Sequence, residues 1–313
     1  MIYEELSDEN DDCEEEPRLT YRKPRQPKRE INLNDLVEAE DPSGGFAMTY
    51  TPKRFERGWL FSSLESFYRQ SLLSDVLYCV KGGKEATVYC GRGAFASGEE
   101  LLAVKVYRPR QFRNLRNDAM YREGRPILTA DGRAVKKTDA RLMRAVGKKT
   151  DFGVQVAHTS WLMYEFTTLD TLYKAGGAVP RPISASDNAI LMTYQGDLQR
   201  AAPTLSEVSL ETEEAEPLFQ EVVRNIELML QHDMVHGDLS AYNMLYWEGK
   251  ITLIDFPQVT NLHSNANARF ILQRDILRVC EYFVAQGVAC DPTALMETLW
   301  KRYAPEAPLD SGA

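Results

Sequence analysis

Three oxygen-bearing side chains, Asp238, Asn243 and Asp255, follow one another at a spacing that suits phosphoryl transfer. Asn243 comes five positions after Asp238, and Asp255 ends a short apolar run. Phosphoryl transfer needs little covalent chemistry from a protein, which instead positions the reactants and neutralises charge, and Mg²⁺ prefers hard oxygen ligands. We therefore predict that Asp238 meets the attacking hydroxyl while Asn243 and Asp255 hold magnesium on ATP.

The residues between Asn243 and Asp255 predict the structure that brings these two side chains together. Two apolar runs, 244–246 and 251–254, flank a polar turn around Gly249, which is the pattern of a β-hairpin. The hairpin would place Asn243 just before one strand and Asp255 just after the other, so that both face one site. The alternative is an ordinary hairpin flanked by solvated polar residues.

A second region, residues 77–107, has the pattern of a strand, a glycine turn and two more strands. Gly82 and Gly83 would let backbone amides approach phosphate groups closely. Lys105 interrupts the apolar run 101–107, and a lysine buried in a strand is costly unless it is paired. Kinases use such a lysine to bridge the ATP phosphates and a helix glutamate. Taken alone, the glycine turn is equally typical of an ordinary hairpin.

Three motifs in the chain resemble those of one family. They read Gly83-Lys84-Glu85-Ala86-x-Val88-Tyr89, His236-Gly237-Asp238-Leu239-Ser240-x-Tyr242-Asn243 and Ile254-Asp255-Phe256-Pro257-Gln258. This combination resembles the RIO family of atypical serine/threonine protein kinases, over roughly residues 60–287. The resemblance implies an α+β, two-lobed protein-kinase-like fold with a small β-rich N-lobe and a short helical C-lobe that lacks an activation segment.

The resemblance also implies the roles of individual residues. Asp238 would be the catalytic aspartate, Asn243 and Asp255 the metal ligands, and Lys105 the phosphate-binding lysine, with ATP and Mg²⁺ as cofactors. Its glutamate partner would be Glu165, which lies in a helical pattern that ends at Gly176-Gly177. The family resemblance further implies that Asp255 can accept phosphate as an aspartyl intermediate. The predicted ATP-binding set is Lys105, Glu165, Gly82, Gly83, Lys84, Glu85, Ala86, Val88, Met192, Thr193, Tyr194 and Gln195.

The run 189–195 is apolar and then polar, and it resembles the strand that enters the hinge between kinase lobes. Met192 would screen the back of the adenine pocket, and the backbone of residues 193–195 would bind the base. An apolar residue at a strand end is just as often part of the core. The chain departs from the family at Lys81-Gly82, where a Ser or Thr is usual before the glycine turn. Ser240, where typical protein kinases carry lysine, agrees with the family.

Charge divides the chain unevenly. The net charge is −9, yet residues 1–16 carry nine acidic side chains and no basic one. We expect an acidic and then basic, disordered tail over 1–52, an N-lobe over 53–194 that includes a flexible basic insert at 108–157, and a C-lobe over 195–313. The strongest basic run, 108–149, would contact RNA or a ribosomal particle, as the resemblance implies. The alternative is a solvated insert that docks on acidic surface of the enzyme itself.

Several local patterns predict helices and exclude other classes of protein. Ser62-x-x-Glu65 predicts a helix start with the helix running to about Leu73, and Pro217 predicts a second helix start. A third helix is expected over 266–286, and Asp291 would cap a fourth. The five cysteines form no Cys-x-x-Cys pair, so neither a zinc site nor a disulfide is expected. No long apolar run appears, which predicts a cytoplasmic protein without membrane contact.

The leading hypothesis is a RIO-type, magnesium-dependent ATP phosphotransferase that acts on Ser or Thr of itself or of a protein partner, or that hydrolyses ATP as a switch. His236 is expected to brace the catalytic loop by hydrogen bonding rather than to act as a base. One alternative is a small-molecule phosphotransferase of the aminoglycoside or choline kinase kind, which shares His-Gly-Asp. Another is a non-catalytic RNA- or ribosome-binding module on a kinase fold.

Overall fold

The computed structural model describes residues 48–108, 120–121, 123–136, 139–148 and 150–304. All of them belong to one compact unit that spans Asp41–Ala313. The expected disordered tail at 1–52 lies almost entirely outside the described residues. The same is true of much of the first half of the basic insert.

Five antiparallel strands form the main sheet, in the spatial order β1-β2-β3-β5-β4. They are β1 (Leu73–Gly82), β2 (Ala86–Gly93), β3 (Leu101–Tyr107), β4 (Pro182–Ala185) and β5 (Ala189–Thr193). The three strands predicted within residues 77–107 and the strand predicted in the run 189–195 are confirmed, although β1 begins earlier than residue 77, at Leu73. The order puts β3, with Lys105, in the centre of the sheet.

Side chains along β3 alternate between the two faces of the sheet, as the two-residue period of a strand requires. Leu102 and Val104 pack in a fully buried cluster with the apolar face of helix α1 (Arg54–Arg69). Lys105 and Tyr107 take the opposite face. One face of the sheet is therefore sealed by α1, and the other is available for a site.

Two helices follow on the sheet's other side, α2 (Ala140–Gly147) and the long α3 (Asp151–Lys174). The Thr150 hydroxyl accepts the Gly153 N–H at 3.1 Å and caps α3. A Cβ on Gly153 would collide with the Ala145 carbonyl, so glycine permits the close contact of α2 with α3. The expected insert boundary at 157 is wrong on this side, because residues 151–157 form the first turns of α3.

The remaining helices and short strands form the other half of the described chain. They are α4 (Thr212–Gln231), β6 (Met234–Val235), β7 (Met244–Trp247), β8 (Lys250–Leu253), β9 (Thr260–Asn261), α5 (Ala268–Ala285) and α6 (Pro292–Tyr303). The predicted hairpin is confirmed as β7–β8. Its two turn residues, Glu248 and Gly249, have φ of 49° and 75°, the backbone that a two-residue type I′ turn requires.

Two predicted helix starts are wrong. Helix α1 begins at Arg54, where the Lys53 N–H donates to Glu56 at 3.1 Å, and the Ser62 hydroxyl instead donates to the Trp59 carbonyl inside the helix. The helix ends at Arg69, before the expected Leu73. Pro217 lies inside α4 rather than at its start. That helix begins at Thr212 with an acidic first turn, and acidic side chains interact favourably with the positive end of the helix dipole.

The end of α5 corrects a further expectation. Cys280 and Cys290 form a disulfide with their Cα atoms 5.7 Å apart, although no disulfide was expected from the sequence. Spacing alone missed it because the chain reverses at Gly287, whose φ of 90° ends α5 and returns the backbone toward the helix. The predicted cap at Asp291 is confirmed, since its carboxylate accepts the N–H of Thr293 at 2.9 Å. In the described part of the chain, every helix is too short or too polar to cross a membrane.

The packing of α5 allows a matched test of the core. Phe283 is fully buried, with its ring centroid 5.3 Å from that of Phe219, whereas Phe270 on the same helix is 60% exposed. We expect Phe283→Ala to lower the free energy of unfolding by about 3–5 kcal/mol, since it leaves a cavity. Phe270→Ala should change it by less than ~0.5 kcal/mol, the usual range for surface positions. Urea denaturation measures both, and equal effects would contradict the assigned packing of α5.

Candidate active site

Lys105 lies at the centre of a cluster of charges in which Lys105 and Glu165 are buried and Asp255 is partly exposed. Its Nζ is 2.6 Å from Oε1 of Glu165 on α3 and 2.6 Å from Oδ1 of Asp255, which follows the β7–β8 hairpin. Burial alone would lower the pKa of the Lys105 ammonium, but the two carboxylates outweigh burial and raise it. The structure thus brings together three of the predicted site residues, which are separated by 60 and 150 positions along the chain.

Glu165 is held from two sides. Its side chain is 1% exposed, and Lys105 binds one carboxylate oxygen while the Tyr107 hydroxyl donates to the other. Tyr107 comes two positions after Lys105 on β3, so both side chains reach α3 from the same face of the sheet. The Tyr107 ring also packs edge-on against Trp161 of α3 at 4.8 Å. These contacts fix the distance between β3 and α3 at the glutamate.

The loop that carries Asp238 follows β6, and His236 braces it, as predicted. The ring Nε2 lies 3.2 Å from the Ile254 carbonyl, so it carries the proton and donates, and Nδ1 accepts the Asp238 N–H at 3.3 Å. Burial lowers the pKa of His236 to about 4. The imidazole is therefore neutral near pH 7 with both nitrogens engaged, and it has no lone pair left for a substrate proton.

Side chains of helix α5 bind the backbone of the next residue of the loop, Gly237. Oδ2 of Asp275 accepts the Gly237 N–H at 2.7 Å, and the Arg274 guanidinium donates to the Gly237 carbonyl. Gly237 has a φ of 86°, and a Cβ there would collide with the Gln258 carbonyl, so this position requires glycine. Burial raises the pKa of Asp275 to about 7, against the lowering effects of Gly237 and Arg274.

The Asp238 carboxylate, which we predicted to be catalytic, is partly exposed and receives a donor on each oxygen. Arg278 Nη1 lies 2.8 Å from Oδ1, and Asn243 Nδ2 lies 3.3 Å from Oδ2. The Asn243 amide also donates to the Asp238 carbonyl at 2.9 Å. A substrate hydroxyl can reach the carboxylate because about a third of the side chain, 38%, remains accessible.

The two predicted metal ligands, Asn243 and Asp255, lie at the same end of the β7–β8 hairpin. The Ile254 N–H donates to the Asn243 carbonyl at 3.0 Å, which ties the two ends of the hairpin together. Asp255 has a φ of 70°, so the backbone turns sharply at this residue. Burial alone would raise the pKa of its carboxyl, but Lys105 outweighs burial and lowers it.

This donor set fits Mg²⁺. The side-chain Nδ2 of Asn243 points toward Asp238, which leaves the side-chain Oδ1 of Asn243 for a cation. Lys105 contacts only one of the two carboxylate oxygens of Asp255. Across the described ranges, no three His, Cys, Asp or Glu side chains cluster closely enough to hold a metal. Magnesium commonly binds one or two protein ligands and completes its shell with water and phosphate oxygens.

The predicted phosphate-covering turn connects β1 to β2. Gly82, Gly83 and Lys84 are exposed, and Ala86 is buried at the start of β2. The Gly83 N–H donates to the Ala86 carbonyl at 2.8 Å, and a Cβ on Gly83 would lie 2.8 Å from that same oxygen. Val88 is half-buried in β2, and the Glu85 carbonyl accepts the Arg108 N–H at 2.9 Å. The turn is thus tight and open to solvent on one side.

The predicted adenine segment is partly engaged within the protein. Met192 is 7% exposed and packs in the larger core cluster. The Thr193 N–H donates to the Arg181 carbonyl at 3.0 Å, and the Gln195 carbonyl accepts the Ala202 N–H at 2.9 Å. The Tyr194 hydroxyl bonds that of Tyr78 at 2.8 Å. The Thr193 N–H and the Gln195 carbonyl are therefore already engaged, and only the remaining backbone N–H and carbonyl groups of residues 193–195 could contact a base.

A cavity of about 590 Å³ lies elsewhere, between α4 and the β7–β8 hairpin. Of the predicted ATP-binding residues it contains only Gln195. It does not contain Lys105, Asp238 or Asp255, so we place the candidate site by its side-chain chemistry rather than by cavity size.

Sequence reasoning missed Arg274, Asp275 and Arg278, the residues of α5 that hold the loop. They were not predicted because a charged residue in a helix usually points to solvent. The available signal was the position of Asp275 on the same helical face as the apolar residues Ile271, Leu272 and Val279, since a buried acid needs partners. Tyr107, the second partner of Glu165, was missed because the apolar run 101–107 predicts its strand but not the partner of its hydroxyl.

Comparison with known proteins gives a consistent result. A family model described as the RIO domain matches residues 127–295, more than half of the chain. The RIO-type serine/threonine-protein kinase Rio1 of Haloferax volcanii is 32% identical over 221 residues, covering 70% of this chain and 66% of that protein.

Eukaryotic relatives match as well. The serine/threonine-protein kinase rio1 of Schizosaccharomyces pombe is 27% identical over 278 residues, covering 83% of this chain and 49% of the relative. The human serine/threonine-protein kinase RIO1 is 26% identical over 227 residues, covering 70% and 35%. The chain thus spans just under two thirds of the archaeal relative and half or less of these eukaryotic ones.

The buried charges around Lys105 predict a specific order of stabilities. Lys105→Met removes the cation and leaves Glu165 and Asp255 without it, which should lower the free energy of unfolding by about 3–5 kcal/mol. Adding Glu165→Gln removes one of the two uncompensated charges while keeping an acceptor for Tyr107. The double variant should therefore be more stable than Lys105→Met alone, measured by urea denaturation at pH 8. A double variant that is less stable would show that the charges do not interact as described.

The raised pKa of Asp275 predicts a pH dependence. Because its pKa is about 7 in the folded protein, against an ordinary value near 3.8, the folded state holds an extra proton between those values. Stability from this group is full at low pH and is lost as the pH rises toward 7. Between pH 5 and pH 8, wild type should lose about 2.7 kcal/mol more than Asp275→Asn, at ~1.36 kcal/mol for each of the roughly two pH units up to the folded-state pKa. Denaturation at both pH values checks this, and identical losses would contradict it.

Proposed function

The chain belongs to the RIO family of atypical serine/threonine protein kinases, and from this premise we propose that it is a magnesium-dependent ATP phosphotransferase. The observation that carries the proposal is the position of Lys105, 2.6 Å from both Glu165 and Asp255. A kinase needs this lysine and its glutamate in place to orient the ATP phosphates. The same lysine contacts the predicted metal ligand Asp255, which supports a phosphate site and a metal site next to each other.

The residues then divide the work of phosphoryl transfer. Asp238 accepts the proton of the attacking hydroxyl, for which its partly exposed carboxylate is placed. Lys105 orients the phosphates, and Asn243 with Asp255 would hold Mg²⁺. The ion, when bound, neutralises charge on the phosphate oxygens. His236 and α5 keep the loop backbone in position, so that little reorganisation is needed when the substrates bind.

The fold supports a two-lobed arrangement with nucleotide between the lobes. In this proposal the five-stranded sheet with α1 and α3 is the N-lobe, and α4, α5, α6 and the β7–β8 hairpin are the C-lobe. The exposed glycine turn at 82–84 would cover the phosphates, and residues 192–195 would border the adenine. Support comes from Lys105, which extends from the sheet to Asp255 next to the hairpin.

The acceptor of the phosphoryl group is proposed to be a Ser or Thr of the protein itself or of a partner protein. The relatives described above are named serine/threonine-protein kinases, which favours this over the small-molecule alternative. ATP hydrolysis through an aspartyl-phosphate on Asp255 is the second form of the proposal. Lys105 contacts Oδ1 of Asp255, and Oδ2, which does not contact the lysine, is the oxygen proposed to accept phosphate or to bind a metal.

RNA or ribosome binding through the basic insert, and a cytoplasmic location, stay predictions. The described part of the insert contains α2, with Arg141 and Arg144 exposed or half-exposed on it. A non-catalytic binding module would not need Lys105, Glu165 and Asp255 in mutual contact. The intact cluster therefore favours an enzyme.

The proposal is tested by incubating the protein with ATP labelled on its γ-phosphate. We expect Mg²⁺-dependent label on protein or as free phosphate, and Asp238→Asn should lower its formation by ~10²-fold or more. ATP should still raise the thermal stability of that variant, because a ligand of the folded state stabilises it and Asp238 lies outside the phosphate contacts. Hydroxylamine-labile label would identify an acyl phosphate, and acid-stable label an ester.

Asp170→Asn is the matched control, since this acid lies on the surface of α3 in an ion pair with Lys174. It should keep wild-type turnover. Unchanged turnover in Asp238→Asn would remove that residue from the mechanism. Turnover that requires an added aminoglycoside or choline would favour the small-molecule alternative, and ATP binding without any turnover would favour the binding module.

A further inference from the structure

The contact between Arg278 and Asp238 is unusual for its place in the fold. Nη1 of Arg278 on α5 lies 2.8 Å from Oδ1 of Asp238, and the two side chains are 39% and 38% exposed. An ion pair that is this open to water contributes at most ~1 kcal/mol to stability. The contribution to stability therefore does not explain why Arg278 contacts Asp238. The effect of Arg278 on the orientation of the Asp238 carboxylate is more important.

An aspartate carboxylate is weakly fixed by its own torsional preferences. Its last torsion is broad and roughly two-fold, so the plane of the carboxylate is set by whatever binds the two oxygens. Here Asn243 Nδ2 donates to Oδ2 at 3.3 Å from within the loop, and this contact is long for a hydrogen bond. Arg278 donates to Oδ1 over the shorter distance of 2.8 Å from a different element. The arginine is thus the stronger of the two constraints on the orientation of the carboxylate.

The helix that carries Arg278 also holds the backbone of the preceding residue. Asp275 and Arg274 bind the N–H and the carbonyl of Gly237, and Arg278 is three and four positions further along the same helix face. Asp275 is 1% exposed, and its neighbour Ile276 is fully buried, so α5 is firmly fixed in the core. One rigid helix therefore positions both the backbone before Asp238 and the Asp238 side chain.

We propose that Arg278 is a positioning residue for phosphoryl transfer, which holds the Asp238 carboxylate in the orientation that receives the proton of the acceptor hydroxyl. This rests on the proposed function. Each carboxylate oxygen has two lone pairs, so Oδ1 can accept from Arg278 and still have a site for the hydroxyl. The guanidinium also offsets the charge of Asp238 where a polyanionic nucleotide approaches. The loop itself supplies no such cation, because Ser240 stands two residues after Asp238.

The proposal is tested by steady-state kinetics of Arg278→Gln, Arg278→Lys and Arg278→Ala in the full chain. Arg278→Gln should lower kcat by ~10-fold or more, because small misplacements of a reacting group are costly. The KM for ATP should stay within about two-fold, since the phosphate contacts lie around Lys105. Arg278→Lys keeps a cationic donor and should retain more activity than Arg278→Gln. Added guanidinium chloride at millimolar concentration should partly restore the kcat of Arg278→Ala, which a merely structural role does not predict.

Two controls separate this proposal from the proposed function. Arg269→Gln, on the same helix, breaks a surface ion pair of 2.7 Å with Glu297 and should leave kcat unchanged. Asp238→Asn, measured in parallel, should lose turnover and should gain nothing from guanidinium. If Asp238→Asn is inactive while all three Arg278 variants keep wild-type kcat, the role of Arg278 is wrong and the function stands. Equal losses in Arg278→Gln and Arg278→Lys, without guanidinium rescue, would also overturn it. If wild type shows no turnover, both proposals fail.

Discussion

A lysine ammonium buried in a protein must find negative charge, and Lys105 finds it in two carboxylates that come from different parts of the chain. Each contact is 2.6 Å, with Glu165 on α3 and Asp255 after the β7–β8 hairpin. Removing a charge from water costs several kcal/mol unless the geometry with its partners is good. The sheet, the long helix and the hairpin are therefore constrained to meet at one point, and the positions of the other site residues follow from this.

A second constraint is the shape of the catalytic loop, which has little regular structure of its own. Gly237 adopts a positive φ, and its N–H and carbonyl would lack partners if α5 did not bind both. Satisfying buried backbone groups is close to obligatory in folded proteins. The cost falls on Asp275, whose Oδ1 has no hydrogen-bond partner in the described part of the chain and whose pKa burial raises to about 7. The backbone of the loop is thus fixed by Asp275 of α5, one of whose carboxylate oxygens is left without a hydrogen bond.

Sequence patterns predicted the parts of the fold that depend on local rules. The strand at 101–107, the turn at Gly249 and the cap at Asp291 all follow from residues within a few positions, and each is confirmed. The same local patterns also occur in other structural contexts. Ser62-x-x-Glu65 has the pattern of a helix start but lies inside α1. Arg278 and Asp275 could not be found this way, because their partners lie 40 and 38 positions earlier and only the tertiary fold brings them close. Lys105 with Glu165 was predicted only through a family resemblance, for the same physical reason.

Arg274 belongs to two neighbourhoods at once. One nitrogen of its guanidinium donates to the Gly237 carbonyl, and the other donates to the Tyr121 hydroxyl at 2.7 Å. Tyr121 is 8% exposed, and next to it the Met120 carbonyl accepts from Asn265 at 2.8 Å, so the basic insert is attached to the rest of the described chain at residues 120–121. A planar, rigid guanidinium cannot turn toward one partner without turning away from the other. If a ligand that binds at Tyr121 and a ligand that binds at the Gly237 loop are coupled through Arg274, each must alter the affinity of the other by the same factor.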